Sequence, residues 1–136
     1  MKVLITGGAG YLGTVLTEEI LNRFPYAKVI IYDNLMYKQD GLFSFFKYPK
    51  DRFEFVYGDV RDKRSLLEQL QKLDKNNDYV IPLAAIVGFP ACARDEKLAT
   101  AVNFEHVKYI VQSTKCRIIY PNTNSGYGVS DGEAHC

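Results

Sequence analysis

Four glycines near the N-terminus stand at a spacing that can hold a phosphate. In LITGGAGYLG, Gly8, Gly10 and Gly13 give GxGxxG, while Gly7, Gly10 and Gly13 give GxxGxxG. An apolar run precedes them and a helical pattern follows, which is the context that gives such spacing meaning. A sharp passage from strand to helix needs backbone angles that glycine adopts at little cost. A pyrophosphate must come close to the main chain, so a side chain at Gly10 would collide with it. The free N–H groups at the helix start, helped by the helix dipole, then bind the anion, and Gly13 lets the helix sit close to the strand. Asp33 follows Gly13 by 20 residues, at the end of the next apolar run. A carboxylate there can accept hydrogen bonds from ribose hydroxyls and repels a 2′-phosphate. Asn34 and Leu35 supply no cation, so the pattern favours NAD over NADP.

The elements that must position these residues follow from the apolar pattern. Residues 2–6, 28–32, 53–57, 78–83 and 117–120 read as strands without alternation. Between them lie helical stretches over 10–23, 62–73 and 95–115, with Asp62 suited to an N-cap. On 62–73, Leu66, Leu67, Leu70 and Leu73 form one stripe. Strands of this kind separated by helices are parallel and covered on both faces. Right-handed crossovers then give an α/β fold, a Rossmann-type doubly wound sheet of order 3-2-1-4-5. Residues 42–48 are rich in rings (Phe43, Phe45, Phe46, Tyr48) and read as a connection pinned to the sheet edge. The long helical stretch over 95–115 carries two apolar stripes, one of Leu98, Val102 and Tyr109 and another of Phe104, Val107 and Val111. One should face the sheet and the other promote association. His106 reads as an interface or helix-surface residue.

Composition narrows the function classes. The 136 residues suit one domain, and an apolar share of 47% can form a core. Net charge is +1, from 17 basic and 16 acidic residues, so no basic excess exists to neutralise the phosphates of a nucleic acid. No apolar run nears the ~20 residues that span a bilayer, and none suits a signal peptide. Cys92, Cys116 and Cys136 form neither a disulfide framework nor a metal pair. Glu133, His135 and Cys136 have no second cluster, so no metal site is expected. The compartment expected is a reduced cytoplasm.

With several ordered motifs in place, the chain resembles the extended short-chain dehydrogenase/reductases, and among them the NAD-dependent epimerase/dehydratase family acting on nucleotide sugars. The motifs are TGGAGYLG at 6–13, YDNL at 32–35, GDVRD at 58–62, PLAA at 82–85, Asn103, and NTNSGYG at 122–128. The resemblance implies roles. Gly7, Gly10, Tyr11 and Leu12 would cradle the pyrophosphate, and Asp33, Asn34 and Leu35 would hold the adenosine ribose. Asp59 and Val60 would meet the adenine edge. Leu83, Ala84 and Ala85 would lie along the nicotinamide half, with Asn103 anchoring the loop or ribose there. Thr123 matches the catalytic Ser/Thr that orients a substrate hydroxyl. Each has a structural alternative: Asp59 a turn cap, Asn103 a helix cap or packing residue, Thr123 a turn stabiliser. Pro82, Val87, His106 and Val107 depart from residues common among relatives and leave the substrate open.

The family's chemistry is hydride transfer at a sugar carbon, with a tyrosinate taking the hydroxyl proton and a lysine four residues later lowering that tyrosine's pKa. None of the ten tyrosines has a lysine at that position. The expectation is therefore an incomplete NAD(P)-binding Rossmann domain over 1–136, truncated after strand five, lacking the Tyr–Lys helix and the substrate lobe. It would be the NAD-binding portion of a nucleotide-sugar epimerase or dehydratase, not catalytically competent as a fragment. The alternative is a non-catalytic dinucleotide-binding module or sensor. A homodimer or higher oligomer is expected.

Overall fold

The computed structural model describes residues 1–122. Its five strands are β1 (Lys2–Thr6), β2 (Lys28–Asp33), β3 (Phe53–Tyr57), β4 (Tyr79–Pro82) and β5 (Arg117–Ile118). They are parallel throughout and lie in the order β3-β2-β1-β4-β5. This is the doubly wound order expected, with its reversal between β1 and β4.

Side chains alternate across the sheet because successive residues of a strand face opposite ways. Val3, Ile5, Val29 and Ile31 pack on one face with Ile20 and Leu21 of helix α1 (Tyr11–Arg23). Leu4, Ile30 and Val80 pack on the other with Leu66 and Leu70 of helix α2 (Lys63–Leu70). Asp62 caps α2, accepting from the N–H groups of Arg64 and Ser65 at 3.1 Å each. The aromatic stretch forms a 3-10 helix, Gly41–Phe45, whose Leu42 and Phe45 are buried. Phe45 and Phe46 lie 5.5 and 5.8 Å from the ring of Phe53, which pins the connection to edge strand β3.

Four elements differ from the sequence reading, the first being α2, which ends at Leu70 and not at residue 73. Helix α3 (Phe89–Arg94) was not foreseen, because six residues are too few to show a period. The stretch over 95–115 begins with Asp95 capping Leu98 N–H and runs as α4 (Glu96–Thr100), a π-helical turn (Ala101–Glu105) and α5 (His106–Ser113). Val102 and Ile110 are buried against the sheet, while Phe104 and Val111 are more than half exposed. His106 is not on the surface: it is 2% exposed. It follows Val102 by one helical turn and precedes Ile110 by another, which places it on the buried stripe.

Strand β5 stops at Ile118, short of the expected Tyr120, for a reason that lies in two amides. Ile119 N–H donates to Val80 O at 3.0 Å. In a parallel ladder the next rung would need N–H groups from residues 82 and 121. Both are prolines, so neither bond can form. The other edge of β4 is unaffected, since Leu83 N–H still donates to Thr6 O at 2.9 Å.

Candidate functional site

At the carboxyl ends of the strands, where the chain order reverses, lies a cleft of about 1050 Å³. Open α/β sheets place ligands there. The turn from β1 into α1 forms its floor. Gly7 sits at φ +69°, and a Cβ on it would lie 2.5 Å from the backbone Cα and N of Ala84. A Cβ on Gly13 would lie 2.5 Å from Cα and O of Gly8. Glycine at these positions therefore lets α1 close on the turn and lets the turn close on the end of β4. Gly10 is the residue before α1, and neither a capping side chain nor an acidic first-turn residue is present there. The helix start thus offers amides and its positive dipole end to an anion without a competing carboxylate.

Asp33 ends β2 beside this turn. Its Oδ2 accepts from Ala9 N–H at 3.0 Å and its Oδ1 from Leu35 N–H at 2.7 Å. One carboxylate so joins the glycine turn to the loop after β2, and each oxygen keeps a lone pair for a further donor. Leu35 adopts φ +54° and packs against the α1-side core instead of lining the cleft.

After β3 the cleft wall is Gly58, Asp59, Val60 and Arg61. Tyr32 passes beneath it. A Cβ on Gly58 would come within 2.4 Å of the Tyr32 ring and hydroxyl, and that hydroxyl donates to Asp59 O at 3.0 Å. Burial, which disfavours the phenolate, pushes the Tyr32 hydroxyl above its usual pKa. The Asp59 carboxyl is held down at about 2, chiefly by its hydrogen bonds from the Arg61 side chain, so it is ionised at neutral pH. Arg61 was not singled out from the sequence, although it stands in the motif GDVRD.

After β4, Leu83, Ala84 and Ala85 line the far wall. Asn103 projects from the π-helical turn and clasps the loop, its Oδ1 accepting from Ile86 N–H at 2.7 Å and its Nδ2 donating to Ile86 O at 2.9 Å. One turn on, His106 Nδ1 contacts Val102 O. A carbonyl only accepts, so Nδ1 carries the proton and Nε2 accepts from Thr6 Oγ1 at 3.3 Å. Burial holds His106 below its usual pKa, and the neutral ring ties the helix to the last residue of β1.

The structure thus brings Gly7, Gly10, Tyr11, Leu12, Asp33, Asn34, Asp59, Val60, Leu83, Ala84, Ala85 and Asn103 around one cleft and leaves Leu35 outside it. Thr123 lies outside the described residues. The arrangement can hold a diphosphate at the helix mouth and a sugar diol at Asp33. Among the described residues, no group of three or more His, Cys, Asp or Glu could hold a metal, and no helix is long and apolar enough to cross a membrane.

Known proteins share this fold. The description NAD dependent epimerase/dehydratase family matches residues 3–135. CDP-paratose 2-epimerase of Salmonella typhi is 29% identical over 133 residues, covering 94% of this chain and 38% of that protein. dTDP-D-glucose 4,6-dehydratase of Dictyostelium discoideum is 30% identical over 131 residues, covering 93% of this chain and 30% of that protein. Among solved structures, the dTDP-glucose 4,6-dehydratase DesIV of Streptomyces venezuelae, with NAD and TYD bound, superposes with a TM-score of 0.83 at 25% identity. That match covers 99% of this chain and 43% of DesIV. The chain therefore spans well under half the length of these relatives.

Proposed function

Because the chain belongs to the NAD-dependent epimerase/dehydratase family, we propose that its cleft binds NAD and that it serves as the NAD-binding portion of a nucleotide-sugar epimerase or dehydratase. The observation that carries this reading is the uncapped mouth of α1, closed on backbone at Gly7 and Gly13 and flanked by the Asp33 carboxylate. The amides of Tyr11 and Leu12 would hold the pyrophosphate, and Asp33 with Asn34 the adenosine ribose. Asp59 and Val60 would border the adenine. Leu83, Ala84 and Ala85 would leave room for the nicotinamide half, on a loop that Asn103 fixes.

NAD, when bound, supplies a hydride acceptor and donor at a sugar carbon. This chain's part is to bind and orient it, while Thr123 would orient the substrate hydroxyl. The same reading places the protein in the cytoplasm as a homodimer or higher oligomer, a role for which the exposed Phe104 and Val111 are suited.

Calorimetric titration of the 136-residue chain with NAD tests the reading. Asp33→Ala removes a carboxylate acceptor from the ribose, and hydrogen bonds to charged groups contribute about 1.5–3 kcal/mol. The expected loss of affinity is roughly ten- to a hundredfold. Undiminished affinity in a variant that circular dichroism shows to be folded refutes the ribose assignment.

A further inference from the structure

One helical stretch holds both sides of the cleft floor. Asn103 grips the loop after β4 at Ile86, two residues beyond Ala84. His106, one turn on, grips Thr6, the residue before Gly7. Between these attachments the glycine turn meets the loop, where a Cβ on Gly7 would lie 2.5 Å from backbone atoms of Ala84. Main-chain bonds run along the same seam: Leu83 N–H donates to Thr6 O and Gly7 N–H to Tyr32 O, both at 2.9 Å. The π-helical turn that carries Asn103 closes with His106 N–H donating to Ala101 O, and such turns are frequent at functional sites.

The grip on Thr6 is sensitive to a proton. Nδ1–H faces Val102 O, so Nε2 is the acceptor for the Thr6 hydroxyl, which is fully buried. Among the described residues that hydroxyl has no other partner. An imidazolium has two donors and no acceptor. Protonation therefore sets Nε2–H against the Thr6 O–H, and a buried hydroxyl without an acceptor is destabilising. A cavity of about 80 Å³ adjoins the ring, lined by Val60 and Arg61 after β3, Lys63 of α2, and Glu105 and Tyr109 of the ring's own helical stretch. From β1 the ring meets Thr6, which does not titrate. Arg61 is paired with Asp59, and Lys63 and Glu105 are of opposite sign, so no net charge there compensates the burial of an imidazolium.

Resting on the proposed binding of NAD, we propose that His106 is a positioning residue that sets the glycine turn against the loop after β4, and that its neutral ring is the form competent to bind the dinucleotide. NAD and a proton at His106 then oppose one another. Affinity is full above the ring's titration and falls as pH falls through it. Linkage makes the effect mutual, so bound NAD drives that titration to lower pH.

The test follows the His106 ring by NMR through a pH titration of the 136-residue chain, free and saturated with NAD. The titration covers the range in which circular dichroism shows the chain folded. His106 and His135 are the two histidines, and His106→Gln identifies the signal. NAD is expected to move the His106 titration to lower pH, by an amount equivalent to about three- to tenfold weaker binding to the protonated chain. Calorimetry should show the same loss in wild type as pH falls. It should show a flatter profile in His106→Gln, whose amide can accept from Thr6 without titrating. Thr6→Val, which removes the hydroxyl and leaves the ring, should abolish the NAD-dependent movement. A His106 titration that is the same with and without NAD marks a merely structural ring and overturns the proposal. So does a movement to higher pH, the direction the pyrophosphate charge alone would give, or one that persists undiminished in Thr6→Val. A His106→Gln affinity profile parallel to that of wild type overturns it too. If wild type binds no NAD even at neutral pH, the proposed function itself falls and the positioning role with it.

Discussion

Replacing Gly13 by alanine sets two known effects against each other. Gly13 is the third residue of α1 and is buried. Alanine is favoured over glycine in a helix by about 1 kcal/mol, so local propensity alone forecasts a more stable protein. The added Cβ, however, would lie 2.5 Å from the Cα and O of Gly8 and 2.7 Å from its C. These are backbone atoms and cannot rotate away. Reaching an ordinary contact requires α1 to move off the turn by roughly 1 Å, and such overpacking costs about 1–3 kcal/mol, occasionally more. A clash this close with fixed backbone belongs in the upper part of that range, about 2–3 kcal/mol, so the clash wins: the expected net loss is about 1–2 kcal/mol, or roughly 3–7 °C in Tm for a chain of this size. Urea denaturation followed by circular dichroism would show a lower midpoint with an unchanged slope. Gly10→Ala is the internal control. Its Cβ has only Gly7 O within 3.4 Å, at 3.2 Å, so its stability should fall by less, although the methyl would stand at the helix mouth. A Gly13→Ala protein as stable as wild type, or more so, would refute the argument that close approach at this residue, and not turn conformation, requires glycine.

Two further outcomes follow from the helix that covers β4. His106 is buried and neutral, with its pKa lowered by desolvation. The unfolded chain takes up a proton near pH 6.5, where the folded chain still resists it, so stability is complete above that pH and declines as pH falls toward the folded value. Urea midpoints between pH 8 and pH 5 should show this decline in wild type and a flatter profile in His106→Gln; parallel profiles would exclude His106 as the cause. Asn103→Asp keeps the shape but sets a carboxylate oxygen against Ile86 O in place of an N–H donor. It should destabilise by about 1–3 kcal/mol at pH 7, measured by chemical denaturation, and an unchanged midpoint would show that the clasp is energetically idle.

Much of the architecture was legible because parallel strands buried on both faces read as unbroken apolar runs, as in KVLIT and KVIIYD. Cap chemistry placed the start of α2, since Asp62 needs only its own neighbours to act. Part of what escaped depended on partners distant in sequence. The end of β5 follows from which amides face β4, and that requires the register. His106 was misplaced because residue type outweighed spacing: Val102, His106 and Ile110 recur at helical intervals, and a hydroxyl on β1 accommodates the ring. The glycine turn and Asp33 were recognisable from spacing, but the bond from Ala9 N–H to Asp33 and that from Asn34 Nδ2 to Asp59 join segments 24 and 25 residues apart, and that tertiary geometry no spacing encodes.

The paired prolines at 82 and 121 govern how far the sheet can zip. With both donors of the next rung deleted, the segment after Ile118 cannot continue alongside β4. Tyr120, Pro121 and Asn122 instead border the cleft. The two rings remove the hydrogen bonds that would pair this segment with the end of β4 at the far side of the crevice. A single replacement would return one donor, and both would be needed to let the neighbouring chains close like the rest of the ladder and narrow the space over Ala84.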